Sequence, residues 1–145
     1  MQRSTTAGLP RDARLRGRDA FGRLFREGEG LRRGQLVVKY RALPRQTPEE
    51  EPRVTAGFVT RRNAGPAVKR NRLRRVMRET YRLDRQRFTE TLPDGLDLDL
   101  VILWSGTPEQ ALRPGFASIA SDMRSALGAI SSRLRKRADG RAEQR

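Results

Sequence analysis

The stretch from Gly65 to Arg87 constrains this chain more than any other. Gly65-Pro66 places a φ-fixed proline in the first turn of a helix, where a missing N–H costs nothing. From Ala67 to about Arg87 apolar residues then recur at helical spacing. On a 100° wheel Leu73, Val76, Met77, Thr80 and Tyr81 share one face, while Arg75, Arg78 and Arg82 point roughly opposite and Arg72 and Arg74 lie on the flanks. One side of such a helix must pack on a core, and the other must meet an anion or remain solvated. Nine of its residues are Lys or Arg, interrupted only by Glu79 and Asp84. Cations so close repel each other and weaken the free helix, which a partner's phosphates would offset. The scarcity of interleaved acids favours the anion over a merely solvated basic face.

The rest of the chain sharpens that contrast. Residues 61–87 carry eleven basic against two acidic groups, residues 1–33 nine against four, and residues 133–145 six against two. Everything else is slightly acidic, so most of the net charge of +15 sits in one central segment. A field of that sign draws polyanions, and nucleic acid is the expected partner. Of the 32 cations only Lys39, Lys69 and Lys136 are lysines; the arginine fork pairs with phosphate bidentately and stacks on bases. No cysteine and no histidine occur, which excludes a thiol nucleophile, a disulfide framework, a Cys/His zinc site and an imidazole base. No apolar run is long enough to span a bilayer and residues 1–20 lack a signal-peptide core, so a soluble cytoplasmic protein is expected.

At 145 residues and 35% hydrophobic content the chain supports one modest core. Residues 1–17, broken by Gly8, Pro10 and Gly17, read as a flexible basic start. Phe21, Leu24 and Phe25 mark a short helix from Arg18 to about Gly28, which Gly28 and Gly30 stop. Strands are expected at Gln35 to Leu43 and Arg53 to Thr60, and the prolines and acids of residues 44–52 between them read as an exposed hairpin loop. Leu96 to Trp104 alternates Leu and Asp before turning wholly apolar, as a strand does on entering a core. Thr107-Pro108-Glu109 suits a turn or a helix start, and Pro114 to Leu134 suits a helix with Phe116, Ile119, Ala120, Met123, Leu127 and Ile130 in its stripe. A basic disordered tail, residues 135–145, is expected to follow. The fold class is therefore an α/β (α+β) two-layer sandwich ordered helix, two or three strands, helix, strand, helix, with the basic helix crossing between strands. Residues 18–134 are expected to form a single nucleic-acid-binding domain.

The first turn of the basic helix attracts anions a second way. The positive end of its dipole lies at Pro66 to Lys69, flanked by Arg61, Arg62, Arg70 and Arg72. No Walker loop is present. Asn71 can hydrogen-bond RNA or brace a neighbouring loop, and its residue type suits both.

The string Arg53-Val54-Thr55-Ala56-Gly57-Phe58-Val59-Thr60-Arg61-Arg62-Asn63, followed by Ala67-Val68-Lys69-Arg70-Asn71-Arg72-Leu73-Arg74-Arg75-Val76-Met77-Arg78-Glu79, resembles the protein subunit of bacterial ribonuclease P. That family shows a strand ending in two basic residues and then a helix opening Arg-Asn-Arg. Arg14-Leu15-Arg16 with Phe21 and Phe25 resembles its first helix, and Asp99 to Leu103 its last strand. The resemblance implies an RNA-binding subunit of an endoribonuclease that removes the 5′ leader of precursor tRNA, with catalysis by a large RNA and its magnesium ions. It implies that Arg61, Arg62, Lys69, Arg70, Asn71, Arg72, Arg74, Arg75 and Arg78 contact the catalytic RNA. It also implies that Phe21, Phe25, Val38 and Lys39 line the cleft for the leader. On spacing alone Phe21 and Phe25 favour core packing, and the resemblance shifts at least one ring to the cleft. The order Lys39-Tyr40 departs from the family, which often brings an aromatic to this cleft; either Lys39 meets a leader phosphate or the register differs by one.

Two other readings compete. Asp94, Asp97 and Asp99, the last two at i, i+2 spacing that shares a strand face, can hold magnesium in an autonomous nuclease, or can be solvated acids at a strand's rim. A ribosomal or DNA-binding protein can use the basic helix as a groove reader, although so little Gln, Ser or Thr on it favours phosphate over bases. Trp104 reads as core.

Overall fold

A computed structural model describes residues 9–45, 51–61, 64–107 and 115–143. Four strands, β1 (Glu29–Arg33), β2 (Leu36–Pro44), β3 (Val54–Thr60) and β4 (Leu96–Trp104), form one mixed sheet in the spatial order β1-β2-β4-β3. Three helices, α1 (Arg18–Glu27), α2 (Ala67–Glu90) and α3 (Phe116–Glu143), accompany it. The β1/β2 and β2/β4 pairs are antiparallel, whereas β3 lies parallel to β4, Val54 opposite Leu98 and Thr60 opposite Trp104. Parallel neighbours cannot be joined by a tight turn, so the chain must return the length of the sheet, and α2 makes that crossing as expected.

The sheet has two unequal faces. On one, the rows Val38–Ile102–Phe58 and Tyr40–Leu100–Ala56 meet Leu73, Met77 and Tyr81 of α2 and Ile119, Met123, Ile130 and Leu134 of α3 in a single core. Trp104 belongs to it, its indole N–H donating to the Gln35 side chain at 3.1 Å. The other face shows the rows Val37–Leu103–Val59, Lys39–Val101–Gly57 and Arg41–Asp99–Thr55. Among the described residues only α1 crosses it, burying Leu24 and Val101. Phe21 stands on Gly57 there: a Cβ at position 57 would lie 2.5 Å from the Phe21 Cζ.

Four features differ from the sequence expectation. Gly30 does not merely end a helix; it lies in β1, which pairs with β2 across a two-residue turn at Gly34-Gln35. Gly34 has φ 56°, and the Asp122 carboxylate of α3, which accepts the Gln35 N–H at 3.1 Å, occupies the space of a Gly34 side chain. The connection over residues 44–52 is not a hairpin, because β4 lies between β2 and β3; its residues 46–50 fall outside the described ones. The start is ordered from Leu9: Leu9 and Ala13 are buried, and the Leu15 N–H donates to the Ala56 carbonyl at 3.0 Å, so this segment covers the free edge of β3. Residues 1–8, the remainder of the expected flexible start, lie outside the described residues. Finally, no tail departs after Leu134, since α3 continues to Glu143. Arg137 grips Glu29 at 2.5 and 2.6 Å and Arg133 reaches the Tyr40 hydroxyl at 3.4 Å, and cations suit a helix C-terminus.

The Phe21–Gly57 contact gives a test of how α1 is seated. Gly57→Ala should destabilise the protein by about 1–3 kcal/mol through overpacking, and should cost almost nothing when Phe21→Ala is already present. A double-mutant cycle by denaturant titration measures this; equal costs in the two backgrounds would separate the ring from Gly57.

Candidate nucleic-acid interface

Pairing of β3 with β4 fixes where α2 begins. Thr60 ends β3, and six residues later Pro66 caps α2, which has no acid in its first turn but has Lys69 and Arg70 there. Arg74 fastens helix to strand, donating to the Thr60 hydroxyl at 3.3 Å and to the Asn71 side-chain oxygen. Asn71 thus braces Arg74 rather than a loop, and its exposed amide N–H groups face outward as donors. Arg61 is exposed, and Arg62 lies outside the described residues.

The cations divide into two groups. Arg72 and Arg75 are exposed on the outer side of α2, whereas Arg70, Arg74 and Arg78 are half-buried along the flank next to β3. Arg78 therefore does not point away from the sheet as the wheel suggests. Its guanidinium lies 5.9 Å over the ring of Phe58, itself edge-on to Tyr81 at 5.6 Å. Burial lowers the Arg78 pKa, and the charges of Arg14, Arg74 and Arg75 push the same way. Arg82 is spent on Glu79, at 2.6 Å. Among the described residues Arg70, Arg72, Arg74, Arg75 and Arg78 form no ion pair, and the Arg70 Nε is buried without a partner. A concentration of unpaired guanidinium groups is a site for phosphates. Arg14 is a member that sequence reasoning missed: its motif was visible, but only the pairing of Arg14 with Ala56 brings it there.

The open face of the sheet carries the second surface. Phe21 lies on Gly57, Phe25 is 43% exposed, and the Lys39 side chain lies across Gly30, where a Cβ would meet its Cδ, Cε and Nζ at 3.4–3.5 Å. Lys39 shares a row with Val101 and Gly57, while Tyr40 faces the core, so Lys39 is the residue presented beside α1. Val38 does not belong here. It is fully buried on the opposite face, against Ile102, because strand alternation sends neighbours of Lys39 to the core. The two surfaces are contiguous around the β3 edge: Arg14 adds to the potential at Arg78, and the Leu15 Cβ comes within 3.5 Å of the Gly57 Cβ position, beside Phe21.

The acids of β4 are engaged within the fold. Asp97 accepts the Arg53 N–H at 2.8 Å and lies 3.8 Å from the Arg45 guanidinium; Asp99 accepts the Thr55 hydroxyl at 2.6 Å. Asp94 is exposed ahead of the strand. Among the described residues no three His, Cys, Asp or Glu side chains group as metal ligands, and no described helix is long and apolar enough to cross a membrane.

Comparison with known proteins agrees with this geometry. The ribonuclease P protein component of Chlorobaculum tepidum is 39% identical over 90 residues, 60% of this chain and 57% of that protein. The component from Micrococcus luteus is 41% identical over 73 residues, 48% and 55% of the two chains. The chain thus spans less than two thirds of the length of these relatives. The solved RNase P protein from Thermotoga maritima superposes with a TM-score of 0.58 at 26% identity, over 79% of this chain and 94% of that one. The Staphylococcus aureus RNase P protein shares the fold, with a TM-score of 0.60 at 19% identity over 81% and 94%. The ribonuclease P family model matches residues 9–131, from the segment that covers β3 to the middle of α3, and the chain belongs to that family.

Proposed function

We propose that this chain is the protein subunit of a ribonuclease P holoenzyme, binding the catalytic RNA through the start of α2 and the 5′ leader of precursor tRNA on the open face of the sheet. The observation that carries this is the contiguity of two surfaces with different chemistry around β3. One is a set of unpaired arginines, Arg70, Arg72, Arg74, Arg75 and Arg78 with Arg14, suited to the fixed phosphates of a structured RNA. The other pairs an exposed ring, Phe25, with Phe21 and Lys39. Rings stack on any base and Lys39 meets any backbone phosphate, so the face suits a single strand of variable sequence.

Division of labour follows from the family: the protein contributes position and charge, and the RNA supplies the hydrolytic centre. The absence of histidine and cysteine from the chain agrees with it. Magnesium belongs on the RNA as well: the Asp97 and Asp99 carboxylates do not fit a metal, being engaged by Arg45, the Arg53 N–H and Thr55. Such a subunit works in the cytoplasm, where precursor tRNA is made in bacteria.

Three outcomes are expected. Protein alone should leave precursor tRNA intact in magnesium, and should stimulate cleavage when a bacterial ribonuclease P RNA is added at physiological salt; cleavage by protein alone would overturn the proposal. Arg70→Ala with Arg72→Ala should weaken binding of that RNA and make log K against log salt shallower by about 1.4–1.8, two phosphate contacts' worth. Separately, Phe25→Ala should reduce affinity for precursor tRNA by about 5-fold or more, the loss of one stacked base, and leave affinity for leaderless tRNA unchanged. Equal losses for the two substrates would remove Phe25 from the leader site.

A further inference from the structure

A cavity of about 220 Å³ lies between the end of α2 and the middle of α3. Arg87 comes to it from α2 and Arg124 and Arg135 from α3, one face of that helix. Its floor is apolar, made by Phe88 and Leu127, both nearly fully buried. Hydroxyl groups at its inner end are already used: Ser131 donates to Thr91 at 2.8 and 3.1 Å, and Thr91 to the Phe88 carbonyl at 2.7 Å. Among the described residues the three arginines form no ion pair, although Asp84 stands on the same rim. Like charges around one small cavity are unfavourable until an anion enters.

Gly128 supplies an independent observation. A glycine inside a 28-residue helix weakens it relative to alanine, and here no neighbour requires one, since a Cβ at position 128 would meet nothing within 4 Å. Gly128 lines the cavity at an exposed position, so its mouth carries no side chain there. From these features the geometry points to a nucleotide site: a phosphate ester held by Arg87, Arg124 and Arg135, with its base on the Phe88–Leu127 floor. Arg87, Arg124, Gly128 and Arg135 are exposed, so the cavity opens outward and need not enclose the whole of its ligand. The site lies about 25 Å along α2 from Arg70, and Arg135 falls beyond the residues the family model matches. Its occupant is an unstacked nucleotide of the catalytic RNA, which gives this chain a second anchor remote from the start of α2. The inference rests on the function proposed above.

The experiment uses the full chain and a bacterial ribonuclease P RNA over a salt series, comparing the parent with Arg124→Ala/Arg135→Ala, with Gly128→Leu, and with Arg70→Ala/Arg72→Ala. The first variant should bind RNA about tenfold more weakly with a shallower salt slope. Gly128→Leu keeps every charge and should also weaken binding, by filling the cavity, while its melting temperature stays equal to or above the parent's. AMP at millimolar concentration, followed by melting temperature, tests the free-nucleotide source. If AMP stabilises the parent while both cavity variants bind RNA normally, the site takes free nucleotide and the RNA assignment is overturned. If those variants bind normally and AMP has no effect, the site itself is overturned. Should only Arg70→Ala/Arg72→Ala lose affinity, the second anchor alone fails; should the parent not bind RNA, the proposed function fails with it.

Discussion

The parallel pairing of β3 with β4 is the constraint on which the rest depends. With Val54 opposite Leu98 and Thr60 opposite Trp104, the connection must retrace the sheet, and the segment that does so is the most basic one in the chain. Its start is thereby set beside the end of β3, where Arg74 holds Thr60 and Arg78 lies on Phe58. The same strand offers Gly57 to Phe21 on its other face and Ala56 to Leu15 along its edge. One strand therefore positions the arginine flank, the aromatic helix and the segment that joins them.

Holding so many guanidinium groups together without acids costs the free protein stability. Glu79 neutralises only Arg82, and the pKa of Arg78 is lowered by burial and by Arg14, Arg74 and Arg75 in concert. Phosphates would relieve that repulsion and release counterions on binding, so in the proposed complex part of the gain is stored in the free protein. Arginine suits the role better than lysine because it stays charged when half-buried on a ring, as Arg78 is.

Local signals made the framework legible. The proline before α2, its apolar stripe and the Leu-Asp alternation of β4 gave the crossover helix from Ala67 and the strand from Leu96 to Trp104 where they are observed. What required tertiary structure was not legible. β1 is short and held in register by Asp122, a residue far along the chain, and the order β2-β4-β3 is set by pairing partners rather than by the loop between β2 and β3. Arg14 joins the arginine group only through Ala56, and the end of α3 is helical because Glu29 and Tyr40 receive its arginines. Val38 was misplaced by one strand position, which in a period-2 element means the opposite face.

Because the chain contains no cysteine, a single introduced thiol can carry a hydroxyl-radical probe to a chosen point. Val68, 79% exposed at the start of α2, and Phe25 on α1 are suitable positions. In a complex of protein, ribonuclease P RNA and precursor tRNA, a probe attached through Val68→Cys should cut the catalytic RNA and one attached through Phe25→Cys should cut the 5′ leader. Cleavage of the same strand from both positions, or no RNA cleavage from the Val68 position, would contradict the two-surface arrangement.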